Sequence, residues 1–378
     1  MKILSVVGAR PNFIKIAPLM KCMLEHRRTS PLLVHTGQHY DATMSGQFFD
    51  DLQIPRPDIS LDVGSGSHAY QTAEVMKRLE PVLERERPDV VLVVGDVNST
   101  LAASLTAAKL EIAVAHVEAG LRSHDRSMPE EINRLLTDAV ADYLFVTEES
   151  GRQNLIREGI SQDKIHLVGN VMIDSLEQFR PWWESSAVHR RFGVDKDSYG
   201  VVTLHRPSNV DSSRTLQDLL HALEEVSREL PMIFPVHPRT LRRLKALDAE
   251  VSVLRPNAET DVWKGVGLVE PLGYLEFIAL VSGARIVLTD SGGLQEETTA
   301  LGVPCLTLRE NTERPVTVTH GTNRVVGTSP DRIIAAARQV FDEPRPRPMR
   351  PPLWDGRTAE RIVAILTDHA TAAEHSTA

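Results

Sequence analysis

Ala284-Arg285-Ile286-Val287-Leu288-Thr289-Asp290-Ser291-Gly292-Gly293-Leu294-Gln295-Glu296-Glu297-Thr298-Thr299-Ala300-Leu301-Gly302 is the stretch whose reading decides the fold. Arg285 to Thr289 is apolar and β-branched without polar alternation, the mark of a short strand buried on both faces. Asp290 to Gly293 reads as a tight turn. Leu294 to Leu301 reads as a helix, stopped by Gly302 and Pro304. A strand thus runs through a Ser-Gly-Gly turn into a helix N-terminus. Gly292 and Gly293 lack Cβ atoms, so the backbone can approach a ligand closely. The unpaired N–H groups and partial positive charge of a helix start suit a phosphate. Glu296 and Glu297 follow, where a carboxylate is placed to accept two hydrogen bonds from a vicinal diol such as ribose. The alternative is that Asp290 or Ser291 only caps a helix and Glu297 is solvated.

The rest of the chain sharpens that choice. A length of 378 residues fits two domains. A hydrophobic content of 42% and a charged content of 25% are those of an ordinary soluble protein. A net charge of −9 argues against nucleic acid or an anionic membrane surface as the main partner, but leaves room for an anionic small molecule in a local basic site. Cys22 and Cys305 make no CxxC or metal-type spacing, so neither a metal nor a disulfide framework is expected, and a reducing cytoplasm fits. Met1 to Val7 reads as a strand and not a signal peptide, since its apolar run is too short. No run of ~18 apolar residues is present to span a membrane.

Strands and helices alternate from end to end. Strands are expected at Lys2–Val7, Leu32–His35, Val90–Val94, Ala113–Val117, Tyr143–Val146 and Ile165–Leu167, with helices between them. A second set begins at Gly200–Leu204 and includes Met232–Pro235, Val251–Leu254, Gly267–Val269, the opening stretch and Val303–Leu308. The fold class is therefore α/β, with two open parallel sheets covered by helices on both faces. The pattern lapses between Gly169 and Phe192. The expected division is an N-terminal domain over 1–175, a C-terminal domain over 176–355 and a final helix over 356–370, followed by a disordered tail over 371–378. Ligands of open α/β sheets sit beyond the carboxyl ends of the strands, which makes the cleft between two such domains the default site.

Polar residues collect at those strand ends. Gly8-Ala9-Arg10-Pro11-Asn12-Phe13-Ile14-Lys15 follows the first strand. It has a single glycine and is no GxGxxG fingerprint, which excludes a dinucleotide cofactor there. Arg10 and Lys15 are candidates to hold an anion, or are two surface cations. Asp96 follows Val90–Val94, either as a site carboxylate or, with Ser99, as a helix cap. Glu118 follows Ala113–Val117, and Glu130 and Glu131 open the next helix. Favourable interaction with the helix dipole explains Glu130 and Glu131, but not Glu118. His205-Arg206 and His237-Pro238 follow two strands of the second set, as acid–base groups, anion donors or structural histidines. Arg309 to Arg314 follows the strand after the opening stretch.

In this order and spacing the segments Gly8–Lys15, Thr36-Gly37-Gln38-His39-Tyr40-Asp41, Gly95-Asp96, His116 to Arg122, Pro129 to Arg134, His205-Arg206, Thr289 to Glu297 and Thr312-Glu313-Arg314-Pro315 resemble the bacterial, non-hydrolysing UDP-N-acetylglucosamine 2-epimerases over essentially the whole chain. The resemblance implies two Rossmann-like domains of the glycosyltransferase-B type, the last helix returning to the first domain. It implies interconversion of UDP-GlcNAc and UDP-ManNAc without NAD or metal, as a cytoplasmic homodimer supplying ManNAc for cell-surface polysaccharide. The family's catalytic acids match Asp96, Glu118 and Glu130, and its catalytic histidine matches His205. Its phosphate and sugar contacts match Arg10, Lys15, Ser291, Gly292, Gly293 and Arg314. Its ribose carboxylate matches Glu297, and Phe277 matches the aromatic beside the uracil.

The chemistry fits those residue types. No carbonyl acidifies the C2 proton of the sugar, so its removal requires the C1–O bond to break with UDP leaving. The family eliminates UDP to give 2-acetamidoglucal, then adds it back after protonation of the other C2 face. Cations and turn N–H groups answer the growing diphosphate charge, and carboxylates on two faces move the proton. In the non-hydrolysing group a second UDP-GlcNAc acts as activator, through contacts that match Gln38, His39, Arg206 and His237. The chain departs from the family pattern in two places. Gly64 to Gln71 holds no arginine, with His68 nearest, and Pro207 stands where a second arginine is frequent. A hydrolysing 2-epimerase, an epimerase of another UDP-2-acetamido sugar, a glycosyltransferase of the same fold and a non-catalytic nucleotide-sugar sensor are the competing readings. A transferase has no need of three carboxylates in the first domain, and a degenerate sensor has no need to keep Asp96, Glu118, Glu130 and His205.

Overall fold

The computed structural model describes residues 1–37, 49–247, 252–253 and 265–376, with the backbone alone at Arg10, 252–253 and 369–376. The chain forms two compact units, Met1–Gln178 with Pro352–Ala378, and Phe179–Pro351.

The described strands of the first unit are β1 (Lys2–Val7), β2 (Ser30–His35), β3 (Ile59–Ser60), β4 (Val90–Val94), β5 (Ala113–Ala119), β6 (Tyr143–Val146) and β7 (Ile165–Leu167). They pair in parallel in the order β3-β2-β1-β4-β5-β6-β7. Helices run over Arg10–Glu25, His68–Glu86, Asn98–Lys109, Pro129–Val140, Glu149–Arg157 and Val171–Gln178. Every residue of β4 is buried, because helices cover both faces of the sheet and only a continuous apolar run can sit between them. The strand order reverses between β1 and β4. The turns after these two strands therefore diverge and leave a crevice at their carboxyl ends.

The second unit repeats the plan. Its described strands are β8 (Gly200–Thr203), β9 (Met232–Pro235), β10 (Ser252–Val253), β11 (Val266–Val269), β12 (Ile286–Thr289), β13 (Cys305–Thr307) and β14 (Asn323–Val325), in the order β10-β11-β9-β8-β12-β13-β14, again parallel. The reversal lies between β8 and β12. Val202, Phe234, Leu288 and Leu306 of the sheet pack with Leu219 and Leu223 of the helix Ser213–Ser227 in one buried cluster. Both units are thus Rossmann-like, as the alternation of elements predicts.

Local departures have plain causes. The lapse after Gly169 is filled by Val171–Gln178, Arg180–Ser185 and a short 3₁₀ turn over Val188–Phe192. Asp174 and Ser175 are buried among Val171, Ile173 and Leu176, which erases the helical periodicity in the sequence. β14, a three-residue Asn-Arg-Val strand, carries no apolar pattern, whereas the helix Pro330–Asp342, also outside the expected elements, does carry one in Ile333, Ala337 and Val340 on its buried face. The last helix, expected to end at Ala370, runs over Thr358–Ser376, and Ala372 and Ala373 are strong helix formers.

That helix belongs to the first unit, fixed there by polar anchors at its approach and start. Trp354, 1% exposed, donates from Nε1 to the Thr147 carbonyl at 3.1 Å. The Ala359 N–H donates to Asp174 Oδ2 at 2.7 Å, and Arg361 donates to the Val168 carbonyl at 2.9 Å. Trp354→Ala should cost about 3–5 kcal/mol, the usual range for emptying a fully buried tryptophan site. Urea unfolding followed by circular dichroism measures it, and a loss under ~1 kcal/mol would show that the return is not anchored there.

Candidate active site

In the first unit, three turns meet around Gly8. A Cβ on Gly8 would lie 2.2 Å from Ser99 Oγ and 2.6 Å from Thr36 Oγ1, so only glycine allows the turns after β1, β2 and β4 to close together. Thr36 and Ser99 hydroxyls hydrogen-bond each other at 2.8 Å. Asn12 ties two of these turns, accepting from the Gly8 and Ala9 N–H groups at 3.1 Å each and donating to the Val94 carbonyl at 2.9 Å.

Glu118 leaves the strand conformation. Its φ is +79°, in the left-handed region that a residue with a Cβ enters only at a cost. The pairing of β5 with β6 shifts register between Val117 and Ala119, so the residue sits on a β-bulge. The bulge aims the carboxylate at Lys15, and the two form an ion pair with side chains only 7% and 5% exposed. The Gly95 turn lies against this pair. A Cβ on Gly95, φ +69°, would be 2.9 Å from Lys15 Nζ and 3.4 Å from Glu118 Oε2. Asp96 follows, 28% exposed, accepting from Arg134 Nε at 3.0 Å, while Asn133 donates to its carbonyl at 2.8 Å. Arg134 and Asn133 lie on the helix Pro129–Val140, whose first turn carries Glu130, half-buried.

The structure separates Glu130 from Glu131. Glu131 is buried and accepts from the Ser123 N–H, the Ser123 hydroxyl and the His124 N–H at 2.9, 3.0 and 2.9 Å, and pairs with Arg134. Burial pushes its carboxyl up, but these donors and Arg134 hold it below the ordinary value. Glu131 is thus a clamp on the loop after β5. His68 starts the helix His68–Glu86 and is paired with the Asn98 side chain, Nδ1 to Oδ1 at 3.2 Å. Gln38 and His39 lie outside the described residues, as does the side chain of Arg10.

In the second unit, β8 and β12 deliver His205 and Asp290 side by side. Asp290 is 0% exposed. It accepts from the N–H groups of His205 and Arg206, at 3.0 and 2.9 Å, and from Asn209 Nδ2 at 3.2 Å. His205 Nδ1 lies 2.9 Å from Asp290 Oδ1, with the histidine side chain 47% exposed. Burial works to raise the Asp290 carboxyl, yet His205 and the surrounding donors hold it below the usual carboxylate value. Asp290 therefore orients His205 through Nδ1 and leaves Nε2 as the nitrogen to act on a ligand. From sequence alone Asp290 reads as a turn residue or cap. The signal that it is more was the serine directly after it, which already fills the N-cap position.

The helix here begins earlier than expected. It runs over Gly292–Leu301 with Ser291 as N-cap, and the Ser291 hydroxyl makes no capping bond. Gly292 and Gly293 are its first turn, and Glu297 stands on its second. A Cβ on Gly292 would lie 2.4 Å from Arg314 Nη1, so the glycine makes room for this guanidinium over the helix start. Arg314 is buried, with Nε 3.0 Å from Glu296 Oε1 and Nη1 2.7 Å from Glu313 Oε1. Glu313 also meets Arg309 at 2.8 Å and Arg206 at 3.9 Å, so it gathers three guanidinium groups, a role that sequence reasoning missed. Phe277 is half-buried on the helix Tyr274–Ser282. His237 is the exposed N-cap of Pro238–Ala246, its Nδ1 accepting from the Arg239 N–H at 3.2 Å.

Three comparisons with known proteins bear on this arrangement. The family profile described as UDP-N-acetylglucosamine 2-epimerase matches residues 23–367. The chain is 43% identical over 372 residues to a UDP-N-acetylglucosamine 2-epimerase of Methanocaldococcus jannaschii, covering 97% of this chain and 99% of the relative. It is 42% identical to a UDP-2,3-diacetamido-2,3-dideoxy-D-glucuronate 2-epimerase of Pseudomonas aeruginosa, covering 89% of this chain and 92% of the relative. A crystal structure of the Methanocaldococcus jannaschii UDP-GlcNAc 2-epimerase in complex with UDP-GlcNAc and UDP superposes with a TM-score of 0.87 at 42% identity, over 97% of this chain and 99% of that one.

Glu297 gives the site a pH signature. Burial pushes its carboxyl up to about 8, with the charge of Glu296 adding to the rise and the Tyr274 hydroxyl opposing it. The folded protein holds this proton more tightly than the unfolded chain does. The stability Glu297 contributes is therefore full below the ordinary carboxyl value of 4.5 and is lost as pH rises through about 8. Urea unfolding of Glu297→Gln should show a flatter dependence on pH over this interval, with a gain over the parent at its upper end. Equal slopes for the two proteins would contradict a buried, proton-holding Glu297.

Proposed function

This chain belongs to the UDP-N-acetylglucosamine 2-epimerase family, and we propose that it is a non-hydrolysing member that interconverts UDP-GlcNAc and UDP-ManNAc. The observation that carries this reading is the β-bulge at Glu118, which holds a buried carboxylate in a strained backbone beside Lys15 and the Gly95-Asp96 turn. A strained, buried carboxylate at a strand end serves chemistry better than stability.

In this reading the first unit moves the proton and the second holds the nucleotide. One carboxylate among Asp96, Glu118 and Glu130 takes the C2 proton. The C–H electrons become the C1=C2 double bond of 2-acetamidoglucal, and the C1–O electrons leave with UDP. A second carboxylate then gives a proton to the opposite face of C2, and the diphosphate oxygen returns to C1. The N–H groups of the Ser291-Gly292-Gly293 helix start, with Arg314, Arg10 and Lys15, answer the charge on the departing diphosphate. His205, oriented by Asp290, offers Nε2 to that diphosphate or to the travelling proton. Glu297 accepts the ribose hydroxyls and Phe277 lies beside the uracil.

The same reading includes a second UDP-GlcNAc as activator, bound by Gln38, His39, Arg206 and His237. It also includes a cytoplasmic homodimer that supplies ManNAc units for cell-surface polysaccharide. What supports these further parts is the resemblance of the segments named above; among the described residues, no helix is long and apolar enough to cross a membrane.

A second substrate is favoured by one fact. Identity to the Pseudomonas diacetamido-glucuronate 2-epimerase is nearly that to the Methanocaldococcus enzyme. Proton NMR of the purified protein with UDP-GlcNAc in D2O decides between them. The proposal expects UDP-ManNAc with deuterium at C2 and no accumulating free sugar. Free ManNAc with UDP would make the enzyme hydrolysing. No change with UDP-GlcNAc, but C2 exchange with the diacetamido-uronate nucleotide, would move the substrate.

A further inference from the structure

Beneath the carboxylates of the first unit lies a charged cluster that the reading above does not use. His116 is on β5, two residues before Glu118, and is 0% exposed. Its Nε2 is 2.9 Å from the Gly95 carbonyl oxygen, and its Nδ1 is 2.6 Å from Asp138 Oδ1. Asp138 Oδ2 accepts from the Gly120 N–H at 3.0 Å and from Arg122 Nη2 at 2.7 Å. Arg122 in turn meets Glu158 with two bonds, Nε at 2.8 Å and Nη2 at 2.6 Å.

The donors and acceptors fix the protons. A backbone carbonyl only accepts. Asp138 is ringed by donors, and although burial works to raise its carboxyl, His116 and Arg122 hold it below the ordinary value, so it too only accepts. Both ring nitrogens of His116 therefore face acceptors, and an imidazole satisfies both only when it carries both protons. The charges then cancel, with His116 and Arg122 against the buried Asp138 and the solvent-facing Glu158. Such a set is costly to assemble and costly to break, which makes it a rigid fixture.

Its placement gives it a task. Asp138 grips His116 and Gly120, two residues before and two after Glu118, and so spans the bulge that holds Glu118 at φ +79°. His116 grips the Gly95 carbonyl, while the Gly95 N–H donates to Val117 at 3.1 Å, so the turn that presents Asp96 is held at both ends of one residue. Asp138 itself lies on the helix Pro129–Val140 that Glu130 opens. One buried pair thus connects the backbone of all three carboxylates. We propose that His116, as a doubly protonated imidazolium, and Asp138 form a positioning pair that sets the Asp96 and Glu118 turns in register for proton transfer. The proposal rests on the reading in which these carboxylates act at C2.

The test compares His116→Leu, which cuts the tie to Gly95, with His116→Gln, whose amide can still donate to that carbonyl. Steady-state turnover of UDP-GlcNAc, UDP affinity by calorimetry and ¹⁵N NMR of the parent's histidines are measured. Misplacement by a fraction of a bond length predicts a fall in kcat of about 100-fold for His116→Leu, with KM and UDP affinity within about threefold of the parent. His116→Gln should recover roughly tenfold of that loss. The parent spectrum should show protons on both His116 nitrogens. A kcat near that of the parent in His116→Leu, no recovery in His116→Gln, or a singly protonated His116 would overturn the proposal. Should His116→Leu not fold, Asp138→Asn decides by the same split, since with its amide oxygen kept on Gly120 and Arg122 its Nδ2 meets His116 Nδ1 as a donor and can hold only the singly protonated ring. The two failures separate. A parent protein inactive on every UDP-2-acetamido sugar removes the functional reading and the proposal together. An active parent with an equally active variant removes the proposal alone.

Discussion

Everything in the first unit turns on one awkward residue. β5 has to end in a carboxylate that is buried yet not part of the sheet's regular ladder. Ordinary strand geometry would send the Glu118 side chain to one face of the sheet. A φ of +79° and a register shift of the β5–β6 pairing turn it instead toward Lys15. A glutamate in the left-handed region costs free energy of order 1–3 kcal/mol, so the surroundings must over-determine it. They do so through Lys15 on one side and the Asp138 bonds to His116 and Gly120 on the other. Glycine at 95 suits the same constraint, since the turn has a φ of +69° and lies directly against the Lys15–Glu118 pair.

The second unit meets a similar demand by similar means. At its strand reversal, between β8 and β12, a fully buried carboxylate gathers the N–H groups of the turn beside it. Asp290 does for His205 and Arg206 what Asn12 does for Gly8 and Ala9 after β1. In both units a polar side chain with no access to water replaces solvent as the partner of turn backbone, and so fixes the turn. The difference lies in what the turns present. The first unit offers carboxylates, and the second offers a helix N-terminus, a histidine and a buried guanidinium. The raised carboxyl of Glu297 belongs to this second set, where three acidic groups, Glu296, Glu297 and Glu313, share a small buried space with Arg314.

Much of this was legible in the sequence. Val90–Val94 and Ile286–Thr289 read as buried strands because helices on both sides leave no polar face, and nearly every turn residue of interest follows such a strand. The glycines at 292 and 293 read as the place where the backbone comes close to something, whereas the packing around Gly8 and Gly95 shows only in the fold. What stayed hidden were partnerships across long sequence distance. Lys15 reads as a cation near a helix start, and only the fold puts it on Glu118, 103 residues away. Glu130 and Glu131 look alike in sequence, and only the loop at Ser123 and His124 distinguishes them. His116 reads as an odd polar residue inside an apolar strand. The helix start at Gly292 is hidden because two glycines are poor helix formers, and the space required by Arg314 selects the glycine at 292. Short elements such as β3 and β14 carry too few residues for any periodicity.

In the proposed reaction the first unit moves the proton and lends Arg10 and Lys15 to the diphosphate, while the second unit supplies the remaining nucleotide contacts. The most direct test is a single substitution, Glu118→Gln, assayed twice, for UDP affinity by isothermal titration calorimetry and for turnover of UDP-GlcNAc. The glutamine keeps the size of the side chain and can still accept from Lys15. The account predicts UDP affinity within about twofold to threefold of the parent and turnover reduced by about 10²–10⁴-fold, the usual worth of a positioned proton-transfer group. Turnover that survives the change, or UDP affinity that falls in step with turnover, would contradict it.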